Sequence, residues 1–358
     1  NGFQTGHDLS LNGGNEKTQY FASFGYLSQN GIVPGNNYSR YTGRLNLTSE
    51  LAKNLKLTIR LRGDRRNVKE PGTAGSVDGD GMMLLIQQGM RFPGYMPSQL
   101  SNGNWGPGVK NFGTAKAWLA SESFSEKPTI RLNSVVSLDY APIKGLKLSA
   151  IGAYNFANTR TKAYRATLPV EIDGVVKTLG PSSLEESSTN TEYKSFQATA
   201  NYTTSFAGKH NIDALIGYSW EEESARDLSA SRQNFPNNNY PYLTVGSPDV
   251  QKNSGGGNDW VIQSYFGRLQ YNFMEKYLAE VTMRYDGSSR FPKDSRYAFF
   301  PSAALGWRIS EENFIKENES LDFISNLKLK ASVGMLGNNN IGNYAYQSVY
   351  QLGQAYNY

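Results

Sequence analysis

The stretch LKLTIRLRGD, residues 55–64, decides the fold class. Apolar side chains stand at every second position from Leu55 to Leu61, and polar or charged side chains stand between them. Successive side chains of a β-strand point to opposite faces, so this alternation is typical of a strand with one apolar and one polar face. The stretch therefore predicts a strand that separates two different environments.

The same alternation recurs along the whole chain. About twelve segments of about ten residues each show it, and on the ten clearest segments the apolar face carries no charge. The segments are residues 3–12, 18–27, 39–50, 55–65, 129–140, 146–157, 192–203, 210–221, 261–273, 277–286, 296–308 and 327–336. We therefore expect an all-β protein.

Composition excludes several classes of protein. The longest apolar run is MMLLI at 82–86, far short of the roughly 20 residues that a membrane helix needs, so a helical membrane protein is excluded. The chain has no cysteine, which removes disulfides and thiolate metal sites. A net charge of +5 without a basic cluster does not indicate nucleic-acid binding. Tyr 23, Phe 17 and Gly 36, with a mean hydropathy of -0.54, indicate strands rich in aromatic side chains.

The connections between these segments alternate in length. Short links at 13–17, 51–54, 141–145, 204–209 and 274–276 alternate with usually longer links at 28–38, 66–128, 158–191, 222–260 and 287–295. An antiparallel up-and-down meander with tight turns at one rim and long loops at the other produces this pattern. A soluble Greek-key sandwich would not be expected to keep it through so many hairpins.

Four local features carry separate predictions. Met82 to Met90 follow helical spacing, with Asp80 as a possible cap and Pro93 as a stop, so we expect a helix that packs within its own loop. Ser310 precedes two glutamates and is expected to cap a short helix. Pro301 predicts a bulge or weakened pairing within a strand. In RYDGSSRFP, residues 284–292, the Asp286-Gly287 pair predicts a turn of positive φ.

Aromatic side chains gather near the ends of the predicted strands. Seven lie beside the short links: Tyr140, Tyr202, Phe206, Tyr271, Phe273, Tyr277 and Trp307. Seven lie toward the long links: Tyr26, Tyr154, Phe156, Tyr218, Trp220, Tyr285 and Phe299. Two such girdles are typical of strands that cross a bilayer, where all backbone groups need partners and the sheet must close. The pattern predicts a transmembrane β-barrel whose apolar face contacts lipid and whose charged face lines the lumen.

Three segments resemble a known family, the SusC-like (RagA-like) TonB-dependent transporters of Gram-negative outer membranes. They are LSLNGGNEKTQYFASFGYLSQNGIVPGNNYSRYTGRLNL at 9–47, YNFMEKYLAEVTMRYDGSSRFPKDSRYAFFPSAALGWRISEENF at 271–314 and LKLKASVGMLGNNNIGNYAY at 327–346. The resemblance implies a barrel of about 22 strands with long extracellular loops and short periplasmic turns, and a plug folded inside. It also implies a periplasmic segment pulled by the TonB complex and a SusD-like surface lipoprotein acting as a lid. Such proteins import bulky nutrients such as oligosaccharides or peptides.

The chain contains only part of that pattern. About twelve of the implied strands are present, and we find no signal peptide, plug domain, TonB-contacting segment or closing set of C-terminal strands. Residues 1–358 are therefore expected to be part of the β-barrel domain of a longer protein. We expect segments 3–12 and 327–336 to be open edges of an incomplete barrel.

Candidate functional residues follow from the two rims and the charged face. Candidate lumen-lining groups are Arg40, Arg44, Arg60, Arg62, Arg131, Arg268, Glu280, Arg284 and Asp286. Each could contact a plug, solvent or substrate. In the long loops, Trp105, Trp118, Tyr240 and Tyr242 could stack on a ligand, meet the lid or anchor the loops.

Other functions receive little support from the residues. SVDGDG at 76–81 lacks the third acidic position and the distant glutamate of a calcium loop, so a plain turn is expected there. The only histidines are His7 and His210, and His210 lies in a short link, away from the elaborated rim where a catalytic triad would be expected. We expect no catalytic residues, metal or cofactor. A passive porin, and an adhesin or soluble glycan-binding β-module, stay open as alternatives to active transport.

Overall fold

The computed structural model describes residues 2–72 and 81–348. Fourteen strands and three α-helices are formed by these residues. The strands are β1 Phe3–Gly14, β2 Thr18–Asn30, β3 Asn37–Ala52, β4 Leu55–Pro71, β5 Phe124–Ile143, β6 Leu146–Arg165, β7 Leu168–Ile172, β8 Val175–Leu179, β9 Ser183–Phe206, β10 His210–Gln233, β11 Gln251–Phe273, β12 Tyr277–Ser288, β13 Tyr297–Arg308 and β14 Lys328–Gly334. The α-helices are α1 Gly81–Arg91, α2 Ala115–Ala120 and α3 Asn313–Lys316. None of these helices is long and apolar enough to cross a membrane.

Twelve of the strands form one antiparallel sheet. Its order is β1-β2-β3-β4-β5-β6-β9-β10-β11-β12-β13-β14, and β7 and β8 form a separate hairpin within the loop between β6 and β9. Each of the twelve predicted segments corresponds to one strand of this sheet, which confirms the up-and-down meander. Among the described residues, β1 pairs only with β2 and β14 only with β13, so these two strands are its edges.

The pairing register places the apolar and polar side chains on opposite faces. Leu57 lies opposite Leu138 and Ile59 opposite Val136, whereas Arg62 lies opposite Asn133. Directly opposed residues of an antiparallel pair point to the same face, so each row joins side chains of one kind. We call the side of Leu57 and Ile59 the apolar face and the side of Arg62 the charged face. The separation of apolar and charged side chains onto two faces, predicted from the sequence, is confirmed.

Several strands are longer than the sequence predicted, and four of them account for most of the difference. The links expected at 158–191 and 222–260 are partly strand, because β6 continues to Arg165, β9 starts at Ser183, β10 continues to Gln233 and β11 starts at Gln251. On these extensions both faces carry polar side chains, as with the Lys162–Glu186 ion pair on the apolar side. A ladder that has left the hydrocarbon layer no longer needs an apolar face. The alternation therefore stops although the backbone pairing continues.

The turn predicted at Asp286-Gly287 was wrong. Both residues pair within the sheet, Asp286 with Ala298 and Gly287 with Tyr297, and the turn follows at 289–296. Gly287 is needed for space, because a Cβ there would lie 2.3 Å from Cε1 of the Tyr297 ring. The glycine thus permits close aromatic packing within a strand.

Pro301 does not produce a bulge. It lies directly opposite Met283 in an unshifted register between β12 and β13. Its carbonyl accepts the backbone N–H of Met335 at 2.9 Å, just beyond the last pair of the β13–β14 ladder, Ser302 with Gly334. The missing N–H of Pro301 therefore falls where this ladder ends, and the pairing is weakened on that side only.

The long loops pack together around a small apolar core. Leu85 of α1, Trp118 and Ala117 of α2, and Leu168 and Val170 of β7 form one buried cluster. The helix predicted near 82–90 is confirmed, and it packs against α2 within its own loop as expected, but it also contacts β7, which belongs to the next long loop. Its apolar side is buried by a neighbour that is distant in sequence.

The link between β13 and β14, residues 309–327, differs from the other links on its side of the sheet. We call it the rim segment. Ser310 does not cap its helix: its buried Oγ has no hydrogen-bond partner among the described residues, and Glu312 occupies the N-cap position of α3. The Glu312 carboxylate instead accepts the Tyr277 hydroxyl at 2.7 Å, the Trp307 indole N–H at 3.0 Å and the Lys276 ammonium at 3.0 Å. The prediction of a short helix is confirmed and that of its cap is corrected.

These bonds lower the pKa of Glu312. The Tyr277 hydroxyl contributes most, followed by the Trp307 indole and Lys276, and together they bring the pKa from 4.5 to about 2. A carboxylate whose pKa is lowered on folding stabilises the folded state fully above its unfolded pKa. This contribution is lost as the pH falls from about 4.5 through about 2.

We predict that Val281→Arg destabilises the full-length protein in lipid vesicles by about 2–4 kcal/mol, because Val281 lies mid-strand on the apolar face. The neighbouring Thr282→Arg, on the charged face, is the matched control and is expected to change stability little. Unfolding by urea in vesicles measures both. Equal losses for the two variants would contradict the assignment of the faces.

We also predict that Glu312→Gln removes a pH-dependent contribution to stability. The difference in unfolding free energy between the unsubstituted protein and the variant should be constant above about pH 5 and should shrink as the pH falls from 4.5 toward 2. Chemical unfolding at a series of pH values measures it. A difference that does not vary with pH would show that the carboxylate is not specifically held.

Candidate functional site: the charged face and its mouth

Arginines dominate the charged face of β3, β4 and β5. Arg44 lies opposite Arg62, and Arg131 lies opposite Asp64. Of the predicted lumen-lining groups, Arg40, Arg44, Arg60, Arg62 and Arg131 are on this face, all of them exposed. Within residues 2–72 and 81–348, the ion pairs made in this patch are Arg66 Nε to Asp64 Oδ2 at 3.7 Å and, at its edge, Lys147 Nζ of β6 to Asp139 Oδ1 at 3.3 Å. The patch is therefore a strongly positive wall with little internal neutralisation.

The charged face of β10, β11 and β12 is neutralised locally. Arg268 donates from Nη2 to Asp213 Oδ1 at 3.1 Å, and the Arg284 guanidinium donates two hydrogen bonds to Asp286 at 3.1 and 3.2 Å. Glu280 accepts a short hydrogen bond from Gln270. The predicted groups Arg268, Glu280, Arg284 and Asp286 thus lie on the same face as the arginines but have protein partners.

An aromatic and acidic cluster lies higher on the same face. We call it the mouth cluster, and its members are Tyr193, Glu221, Glu223, Trp260 and Arg290. The Trp260 indole N–H donates to Glu223 Oε1 at 3.1 Å, the Tyr193 hydroxyl donates to Glu221 Oε2 at 3.0 Å, and the two rings are 6.3 Å apart. The Arg290 guanidinium covers the Trp260 ring with its Cζ 5.0 Å from the centroid. All five side chains are half-buried.

The mouth cluster lies above the hydrocarbon layer. Trp260 precedes Phe273, the last residue of β11 at the short-link rim, by 13 positions. At about 3.3 Å per residue and a tilt of about 40°, this is roughly 30 Å above that rim, compared with an apolar band about 25 Å tall. The cluster therefore lies at the long-loop end of the charged face.

Sequence reasoning missed the mouth cluster. Glu221, Glu223 and Trp260 lie at the ends of the predicted strands or just beyond them, within the links expected at 222–260. Continuing the same two-residue period past residue 221 would have placed Glu221 and Glu223 on the charged face. Arg290 could not have been found this way, because a turn and hydrogen bonds to Asn343 and Asn339 position it.

The loop aromatics divide into buried and exposed side chains. Trp118 is only 3% exposed and donates its indole N–H to the Phe112 carbonyl at 2.7 Å, so it anchors the loops, one of the roles left open by the sequence. Trp105 packs partly against the same core, and its carbonyl accepts the Glu171 N–H. Tyr240 and Tyr242 are exposed, and Lys162 Nζ lies 4.6 Å from the Tyr242 ring.

Polar side chains lock the long loops to one another. Asn238 accepts from the Thr167 N–H at 3.1 Å and donates to the Thr167 carbonyl at 3.1 Å, which joins the β10–β11 loop to the β6–β9 loop. Asn102 and Asn104 both donate to Glu171 Oε2, at 2.8 and 2.7 Å. These two bonds lower the pKa of Glu171, Asn104 contributing most. The mouth is thus framed by loops held in one arrangement.

The chemistry of this face is that of a recognition surface. Rings with adjacent carboxylates and a guanidinium can stack on apolar faces of a ligand while they accept or donate hydrogen bonds at its edges. Among the described residues, no group of three or more His, Asp or Glu side chains could hold a metal ion. The SVDGDG stretch and the Asp80 cap proposed for α1 lie outside the described residues.

Comparisons with known proteins agree with this geometry. A family model described as "TonB dependent receptor-like, beta-barrel" matches residues 85–358. The TonB-dependent receptor P39 of Formosa agariphila is 30% identical, covering 98% of this chain and 32% of the relative. The TonB-dependent receptor SusC of Bacteroides thetaiotaomicron is 28% identical, covering 98% and 35%. The chain thus spans about a third of the length of these relatives.

A solved structure has a similar fold over nearly the whole of this chain. The RagAB peptide importer in the "open-open" state superposes with a TM-score of 0.77 at 27% identity, over 97% of this chain and 38% of that one. The twelve strands therefore correspond to part of a transmembrane barrel wall. The predicted barrel class and the resemblance read from three sequence segments are both confirmed.

We predict that Asn238→Ala loosens the long loops, because it leaves the backbone N–H and carbonyl of Thr167 without their partner at a cost of about 1–3 kcal/mol. Limited proteolysis should cleave 234–250 faster in the variant. Asn237→Ala is the control, since the exposed Asn237 side chain accepts a local hydrogen bond from the Asn239 N–H and does not join the two loops through the described residues. Cleavage at the same rate in both variants would contradict the proposed lock.

Proposed function

Because the chain belongs to the TonB dependent receptor-like β-barrel family, we propose that it is part of an active importer of bulky nutrients. The family is one of outer-membrane proteins of the SusC and RagA type, and the sheet lies in that membrane with its long loops outside the cell and its short links in the periplasm. Residues 1–358 would form about half of the wall around the passage.

One observation carries the proposal: the mouth cluster turns aromatic rings and carboxylates into the passage at its extracellular end. A wall whose only role was to exclude lipid would need neither Trp260 nor two glutamates on this face at that height. Oligosaccharides suit such a site, because their C–H faces stack on rings and their hydroxyls donate to carboxylates. Peptides suit it as well, through basic or aromatic side chains.

Two partners are part of the proposal. Relatives named SusC and RagAB support a SusD-like surface lipoprotein that covers the mouth, against the exposed Tyr240 and Tyr242. The TonB complex would supply energy through a part of the protein outside this chain. The arginine patch of β3–β5 would then face the plug or the passing substrate, since its guanidinium groups have few partners of their own.

Uptake distinguishes this proposal from a passive porin. Cells that produce the full-length protein and its lipoprotein should accumulate labelled oligosaccharides or peptides, and accumulation should stop when the proton-motive force is collapsed. A porin would continue to equilibrate the label. Binding without uptake in energised cells would instead favour an adhesin.

We predict that Trp260→Ala weakens binding of the imported oligosaccharide or peptide about tenfold, because it removes the ring and releases Glu223 and Arg290. Isothermal titration of the purified complex measures the change. Tyr265→Phe, on the apolar face of the same strand, is the matched control and should bind normally. Unchanged affinity in Trp260→Ala would place the ligand elsewhere.

A further inference from the structure

The rim segment is the feature of the periplasmic side that transport does not explain. We propose that it is an interfacial anchor, lying in the headgroup layer of the periplasmic leaflet with Phe314 and Phe323 in contact with phospholipid. The other short links in the sheet are two or three residues long, at 15–17, 53–54, 144–145, 207–209 and 274–276. A turn alone does not require the additional residues at 309–327.

The hydrogen bonds of Glu312 place the rim segment on the lipid side of the wall. Tyr277 and Trp307 lie directly opposite each other on the apolar face, and both donate to Glu312 Oε1. A carboxylate that reaches both donors cannot lie over the lumen. Glu312 is the residue before α3, so the helix begins at the outer edge of the sheet.

The side chains that follow have the exposure expected of an anchor. Ile315 is only 9% exposed and attaches α3 to the protein, whereas Phe314 is 59% exposed and Phe323 80% exposed. Leu321 and Ile324 of the same segment are half-buried. Large apolar side chains exposed to this degree beside a membrane are a membrane-contact surface.

The segment also continues an aromatic belt. Exposed rings occupy the apolar face next to the short links along the sheet: Tyr140, Tyr202, Phe206, Tyr271, Tyr277 and Trp307. Tyr and Trp are favoured at the headgroup boundary because one end of each ring system is apolar and the other forms hydrogen bonds. Glu312 accepts from the last two members of this row. Continuity with a lipid-contacting surface therefore identifies phospholipid as the occupant.

The closed path of the segment favours a fixed position in the interface. Its two ends are joined by the Ser310 N–H to Leu327 carbonyl bond at 3.1 Å, and Lys276 holds both Glu312 and Asn313, at 3.0 and 3.2 Å. The backbone is thus anchored at its first residues, and the phenylalanines project from it. The inference rests on the outer-membrane location and not on the transported substrate.

Spin labels in the full-length protein test the proposal. Phe314→Cys and Phe323→Cys, each labelled with a nitroxide in phospholipid vesicles, should be more accessible to dissolved oxygen than to a water-soluble nickel complex. Glu317→Cys, exposed in the same segment, is the matched control and should show the reverse order. Heat-modifiable gel migration checks that each variant is folded.

A second substitution tests the attachment. In the Phe314→Cys background, Glu312→Ala should reverse the order of accessibility at position 314, because the segment is no longer held against Tyr277 and Trp307. The proposal is overturned if labels at 314 and 323 are as accessible to the nickel complex as the label at 317. It is equally overturned if both are inaccessible to either reagent, since they would then be covered by protein.

Discussion

The whole structure depends on the pairing of backbone hydrogen-bond groups between neighbouring strands. In hydrocarbon an unpaired N–H or C=O costs several kcal/mol, so each strand that crosses must be paired along its full apolar length. Pairing in turn sets the register, and the register decides which side chains meet lipid. A slip of one residue between β4 and β5 would turn Arg62 into the bilayer and Leu61 into the lumen.

The two rims differ because they meet different demands. At the periplasmic rim the chain must reverse tightly, and most links are short. The exception is the rim segment, which is held by hydrogen bonds from Tyr277 and Trp307 to the half-buried Glu312 carboxylate. At the extracellular rim the strands run on beyond the lipid and the loops form a core of their own around Trp118 and Leu168. Because Asn238 and Glu171 tie separate loops together, the mouth is framed by a fixed surface.

The charged face is divided into two regions. Near β10–β12 the charged side chains have partners within the sheet, so this region needs no further counter-charge. Near β3–β5 the arginines of opposed positions repel one another, and such an arrangement is stable when water or an anionic partner lies against it. The mouth cluster lies above both regions and combines rings with charge. A ligand entering from the long-loop end would therefore meet the aromatic rings and carboxylates of the mouth cluster first and the two charged regions afterwards.

The sequence by itself determined the class of fold, the number and order of the strands in the main sheet, the lipid-facing row and the location of most of the short turns, but not the β7–β8 hairpin. It could do so because hydrocarbon enforces a strict period of two, and a local rule of that kind is visible in a single chain. Where the strands extend beyond the lipid this rule no longer applies, and the lengths predicted for β6, β9, β10 and β11 were therefore too short.

Only the tertiary structure decided the features that need residues distant in sequence. From the sequence, Gly287 was predicted to be a turn residue. Its actual role is to make room for the Tyr297 ring on the next strand, which no local pattern indicates. From the sequence, Ser310 was predicted to be the helix cap. The residue that holds the segment is Glu312, and its contacts come from two strands that the local sequence does not reveal. The mouth cluster joins three strands and one turn in the same way. Side-chain pairs of this kind have no local signature, since what brings them together is the pairing of strands and not the spacing along any one of them.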